Sequence, residues 1–77
     1  RNEIMDNAKK IELLEEMLDV DSGTLKPEMV LEEIDEWDSM AKISLIVLMD
    51  EECGKKLTST ELKQFKTIQD IMNFMDA

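Results

Sequence analysis

The sequence predicts an all-α fold, a small four-helix bundle with three long helices and one short one. Three observations carry this. Apolar residues recur at helical spacing in three stretches, Glu3 to Leu18, Ser39 to Cys53 and Thr67 to Met75. Residues that start helices precede the later elements: Asp38, Thr58 paired with Glu61, and Thr67 paired with Asp70. Gly54 stands where a left-handed residue would close the central helix. At 77 residues the chain reads as one domain, 1–77, with a thin core.

Each element has its own signal. In the first helix, Glu3 to Leu18, the residues Ile4, Ala8, Ile11, Leu14 or Glu15, and Leu18 share one face, with Lys9, Lys10, Glu12 and Glu16 largely off it. Val20 to Trp37 is a long connection, opened by the turn residues Asp21-Ser22-Gly23. Its apolar residues Leu25, Met29, Val30 and Ile34 are candidates to pin it to the core, and Pro27 can start a short turn through Glu32. Asp19, Asp21 and Gly23 do not make a calcium loop: the glycine comes one position early, and Val30 stands where the last ligand, a glutamate, belongs.

The second helix, Ser39 to Cys53, is apolar over most of its circumference, so it sits centrally in the bundle. Ile43, Ile46, Met49 and Cys53 face roughly one way, and Met40, Ala41, Ser44, Leu48 and Glu51 occupy another arc, with Val47 at its edge. Lys55 and Lys56 follow Gly54, beside the negative end of the helix. The short helix spans Thr58 to Gln64, with Leu57, Leu62 and Phe65 turned to the core. The last helix buries Ile68, Ile71, Met72 and Met75.

Composition removes several functions. The net charge is −10, which excludes the basic footprint of a nucleic-acid binder and disfavours anionic membranes. It favours basic protein partners. There is no histidine and only one cysteine, so common zinc sites and Ser-His-Asp or Cys-His catalysis are absent. The carboxylates lie in charge runs that read as solvated surface. No apolar stretch is long enough to span a membrane, and Arg1 to Lys10 lacks the apolar run of a signal peptide. One cysteine excludes an intramolecular disulfide framework and fits a reducing cytoplasm, and the expectation is a cytoplasmic monomer.

One short segment points to chemistry. Asp38 is suited to cap the second helix, which places Ser39 at its first position with the hydroxyl projecting from the helix end. Free backbone N–H groups and the helix dipole favour an anion there, a phosphate above all.

Asp38-Ser39-Met40 resembles the Asp-Ser-Leu motif of acyl carrier proteins and related carrier domains. The resemblance continues through the apolar helix ending in Asp50-Glu51-Glu52, the segment Thr58 to Leu62, and Phe65 to Ile71 opening the last helix. It implies an acyl-carrier-type bundle with 4′-phosphopantetheine esterified to Ser39, flanked by Asp38 and Met40. It implies a carrier and not an enzyme: no catalytic and no metal residues, but acyl groups carried as thioesters. The implied partners are a phosphopantetheinyl transferase and acyl-loading, acyl-transfer or synthase enzymes, met through Met40, Ala41, Ser44, Leu48 and Glu51.

The chain departs from the fatty-acid type in several places: Met40 replaces the motif leucine, Trp37 stands where small residues are common, Ala41 and Ser44 take the positions of early acidic residues, and Lys42 adds a positive charge. This points to a specialised stand-alone carrier serving a fatty-acid, polyketide, lipid or surface-glycan pathway. An aminoacyl, D-alanyl or peptidyl carrier with the same arm stays open, as does an acidic helical interaction module with no prosthetic group. Most of the seven methionines lie on helical core stripes, where packing is their first role, but their flexible thioethers and the apolar surface from Ile43 to Met49, with Phe65, Ile68, Met72 and Met75 opposite, also suit a core that admits a guest acyl chain.

Overall fold

The structure, a computed structural model, describes residues 6–76. Helix α1 spans Asn7–Leu18, α2 Ser39–Cys53, α3 Ser59–Gln64 and α4 Ile68–Asp76, with a 3₁₀ turn at Leu31–Glu33 in the connection between α1 and α2. The expected bundle of three longer helices and one short helix is present.

Helix α1 starts later than its periodicity suggests. Asp6 is extended and its carboxylate accepts from the Lys9 N–H, so the first helical residue is Asn7. The expected first turn from Glu3, and Ile4 with it, lies outside the described residues. Ala8, expected on the buried face, is exposed. Lys10, expected off that face, is only 3% exposed. A buried ammonium needs a partner, and Lys10 has one in the Asp76 carboxylate at the far end of α4. Spacing alone could not show this, because the partner lies 66 residues along the chain.

Leu14, Leu18, Leu45, Met49, Ile68, Ile71, Met72 and Met75 belong to one continuous core. Burying a side chain of this size stabilises by roughly 1.5–3 kcal/mol, so the core rests on few large contributions. The whole expected stripe of α4 is buried. Phe65 and Phe74 add an edge-on aromatic pair with ring centroids 5.7 Å apart.

The connection is docked onto this core. Leu25, Leu31 and Ile34 are buried. Val30 was expected to be a pin but is 38% exposed, and Leu31 takes that place. The reason lies in the backbone: Val30 pairs with Thr67 in an isolated antiparallel bridge, and the Leu31 N–H donates to the Lys66 carbonyl at 2.9 Å. The next side chain along therefore turns inward. The Ile68 and Gln69 N–H groups donate to the carbonyls of Met29 and Pro27, so the connection supplies acceptors to the first turn of α4. A tight turn does begin near Pro27, but the helical residues come only at Leu31–Glu33.

The near end of the connection is held by Glu15. This side chain is 4% exposed, and its Oε2 accepts from the Gly23 N–H at 2.8 Å and the Leu25 N–H at 3.1 Å. Asp19 ends α1 in the left-handed conformation at φ 60°, and Gly23 follows at φ 89°, so the chain reverses onto the Glu15 carboxylate. Glu15→Ala should cost about 2–3 kcal/mol by stranding these donors. For a domain of this size that lowers the melting midpoint by roughly 8–20 °C. Glu15→Gln, which keeps an acceptor oxygen, should lose less. Equal thermal melting of wild type and Glu15→Ala would mean that the carboxylate does not hold the connection.

Candidate functional site

Helix α2 begins where its cap says it should. Asp38 is extended, and its Oδ1 accepts from the Ala41 N–H at 2.9 Å. The Lys42 N–H donates to the Asp38 carbonyl, the first bond of the helix. The cap uses the Ala41 N–H, and those of Ser39 and Met40 precede it on the same helix end. Ser39, Asp38 and Met40 are all exposed, Met40 by 68%. At the other end Gly54 takes φ 65°, and the Lys55 N–H reaches back to the Met49 carbonyl at 3.1 Å, closing the helix as expected.

A serine so placed can hold a phosphodiester. Its hydroxyl is accessible, the helix end favours negative charge, and the adjacent carboxylate is turned into the cap. Among the described residues no three metal-ligand side chains cluster.

The outer face of α2 differs from the expected arc. Ala41 is 7% exposed and belongs to the core with Leu45 and Met49. Ile43, expected to look inward, is 56% exposed, and Val47 is 49% exposed. Residues 41, 45 and 49 form the true buried stripe, so Met40, Ile43 and Val47 lie outward at i, i+3 and i+7. Because α2 is apolar nearly all round, periodicity could not fix its rotation. Ser44, Leu48 and Glu51 do come together, in a shallow groove of about 320 Å³ against Leu13, Glu16 and Met17 of α1.

A second cleft, of about 510 Å³, opens on the other side of α2. Leu31, Trp37, Leu62 and Phe65 form its apolar lining, and Glu32, Lys42, Ser59 and Lys63 its polar lining. Helix α3 borders it. That helix is held by a full capping box, Thr58 Oγ1 accepting from the Glu61 N–H while Glu61 accepts from the Thr58 N–H. The cleft was not legible in the sequence, because its walls come from three separate segments. Cys53, at the end of α2, is a half-buried thiol whose pKa is pushed up by burial, against a partly opposing Lys55.

Residues 11–75 match the protein family described as "Phosphopantetheine attachment site". The chain is similar to the acyl carrier protein of Thermosynechococcus vestitus, 30% identical over 76 residues, which covers 99% of this chain and 91% of the relative. It is also similar to the acyl carrier protein of Micrococcus luteus, 28% identical over 65 residues, 84% of this chain and 80% of the relative. No solved structure matches it significantly.

The geometry of the cap makes a direct prediction. Asp38→Ala should destabilise by about 1 kcal/mol through loss of the N-cap. The melting midpoint should fall by roughly 4–8 °C. Asp38→Asn should recover most of that, since an amide oxygen also caps. If Asp38→Ala melts with wild type, the carboxylate does not hold the helix end.

Proposed function

The chain belongs to the acyl carrier protein family, whose members bear covalent 4′-phosphopantetheine, and from that premise we propose that Ser39 is its attachment point. One observation carries the assignment: Ser39 is the exposed first residue of α2, within the matched region and beside a carboxylate already engaged as the cap. The attached group supplies a terminal thiol that holds an acyl group as a thioester. The chain's own residues present it. Ser39 offers the hydroxyl, and the helix end favours the phosphodiester.

Partners meet the face beside Ser39. Met40, Ile43 and Val47 give it an apolar centre, and exposed Asp50, Glu51 and Glu52 an acidic far end. Ser44 and Leu48 flank it towards α1, and Ala41 supports it from beneath. An apolar centre with a charged rim suits steered docking of basic enzymes. Acyl-loading, acyl-transfer or synthase enzymes of a fatty-acid, polyketide, lipid or surface-glycan pathway are the partners this reading supports, in the cytoplasm. The missing early acids and Lys42 favour a dedicated pathway over general fatty-acid service. The apolar walls of the 510 Å³ cleft, whose lining includes Trp37 and Lys42 on either side of Ser39 in sequence, favour an acyl cargo over a small aminoacyl one.

Incubation with a broad-specificity phosphopantetheinyl transferase and coenzyme A should add one phosphopantetheinyl group, located by fragmentation at Ser39. Ser39→Ala should gain nothing. Modification of that variant would reject the assignment, and an unmodified wild type would favour an interaction module without a prosthetic group.

The face can be probed separately through the same transferase. Ile43→Ala should weaken binding about 5-fold or more, as expected of a central apolar contact. Glu51→Gln should mainly slow association and flatten its salt dependence. Both side chains are exposed, so neither change disturbs the core. Loss of binding confined to Glu51→Gln would reject an apolar centre.

A further inference from the structure

The cleft between the connection, α2 and α3 has a local charge opposite to that of the molecule. The chain has 19 acidic and 9 basic residues, yet Lys42 and Lys63 line the cleft against one carboxylate, Glu32. Among the described residues the ion pairs are Lys9 with Glu12 and Lys10 with Asp76, and no described carboxylate engages either cleft lysine. The groove on the other flank of α2 has the reverse character, with Glu16, Glu51 and Glu52 and no cation. A tethered group can turn to either flank, and the two differ in sign.

We propose that this cleft selects acyl cargo bearing a carboxylate over a neutral chain of the same length. The inference rests on Ser39 as the attachment point. Lys42 lies three residues beyond Ser39 on α2, a spacing that leaves their Cβ atoms roughly 5–6 Å apart. Trp37 lies just before the motif and also lines the cleft. Cargo that folds back from Ser39 into the cleft therefore meets apolar side chains with the lysines among them. Leu31, Leu62 and Phe65 accept the methylenes, while the ammonium groups and the Ser59 hydroxyl are donors for the carboxylate. Both lysines are exposed, so each contact is modest, and the consequence is preference and not tight capture.

The same lysines could instead serve the phosphodiester of the arm. Cargo charge separates the two sources. The test loads Ser39 with hydrolysis-resistant pentanoyl and glutaryl arms and compares melting midpoints at low and high salt, with the unloaded arm as reference. On a molecule of net charge −10, an added carboxylate placed in solvent lowers the midpoint by self-repulsion. Bound between the lysines it should raise it, by about 2–4 °C over pentanoyl. The difference should shrink in Lys42→Gln and in Lys63→Gln, vanish in the double variant, and fall with salt. Comparing two cargoes on one variant cancels any effect of the substitution on folding. Trp37 fluorescence should change with glutaryl in wild type and not in the double variant.

A glutaryl midpoint at or below the pentanoyl one, or a difference that survives in the double variant, would overturn the proposal. So would an equal effect of Lys42→Gln on the unloaded arm, which would assign the lysine to the phosphodiester. Failure of Ser39 to accept any arm is distinguishable from these results, because it removes the attachment point itself.

Discussion

The connection from Asp19 to Asp38 has to be tied down in a chain this small, and one buried carboxylate fastens its near end. Glu15 gives up solvent to accept from the N–H groups of Gly23 and Leu25. Further along, the backbone engages α4: Leu31 donates to the Lys66 carbonyl, and the Met29 and Pro27 carbonyls accept from Ile68 and Gln69. These bonds bring Leu25, Leu31 and Ile34 into the core. The long loop is thus packed onto the core, tied to α1 through Glu15 and to the start of α4 through its backbone, and its exit fixes where α2 begins.

That exit sets up the site. Asp38 leaves the connection in an extended conformation and turns its carboxylate to the Ala41 N–H, which leaves Ser39 outermost. The buried stripe of Ala41, Leu45 and Met49 then fixes the rotation of α2 and sends Met40, Ile43 and Val47 outward. Attachment point and apolar face are therefore consequences of a single docking geometry. The two flanks of α2 inherit opposite charge, acidic against α1 and basic against α3.

Much of this could be read from the residues. The caps at Asp38, Thr58 and Thr67 and the closing Gly54 all act as their types suggest, because capping depends on local chain geometry. The α4 stripe was equally legible, being apolar on one side only. The rotation of α2 was not, because a helix apolar all round offers no preferred face. Lys10 and Val30 were misplaced for another reason: a partner distant in sequence decides each, Asp76 for the first and Thr67 for the second. The Asp38-Ser39-Met40 motif was readable, but the cleft beside it depends on three segments meeting.

The docked connection presents Ser39 from a fixed helix start. Native-state amide hydrogen exchange tests it most directly, since local opening is read residue by residue. The Leu31, Ile68 and Gln69 amides should exchange on the slow scale of Leu45 and Met49 in α2. Exchange of these three at the rate of an unstructured peptide, while α2 stays protected, would contradict it.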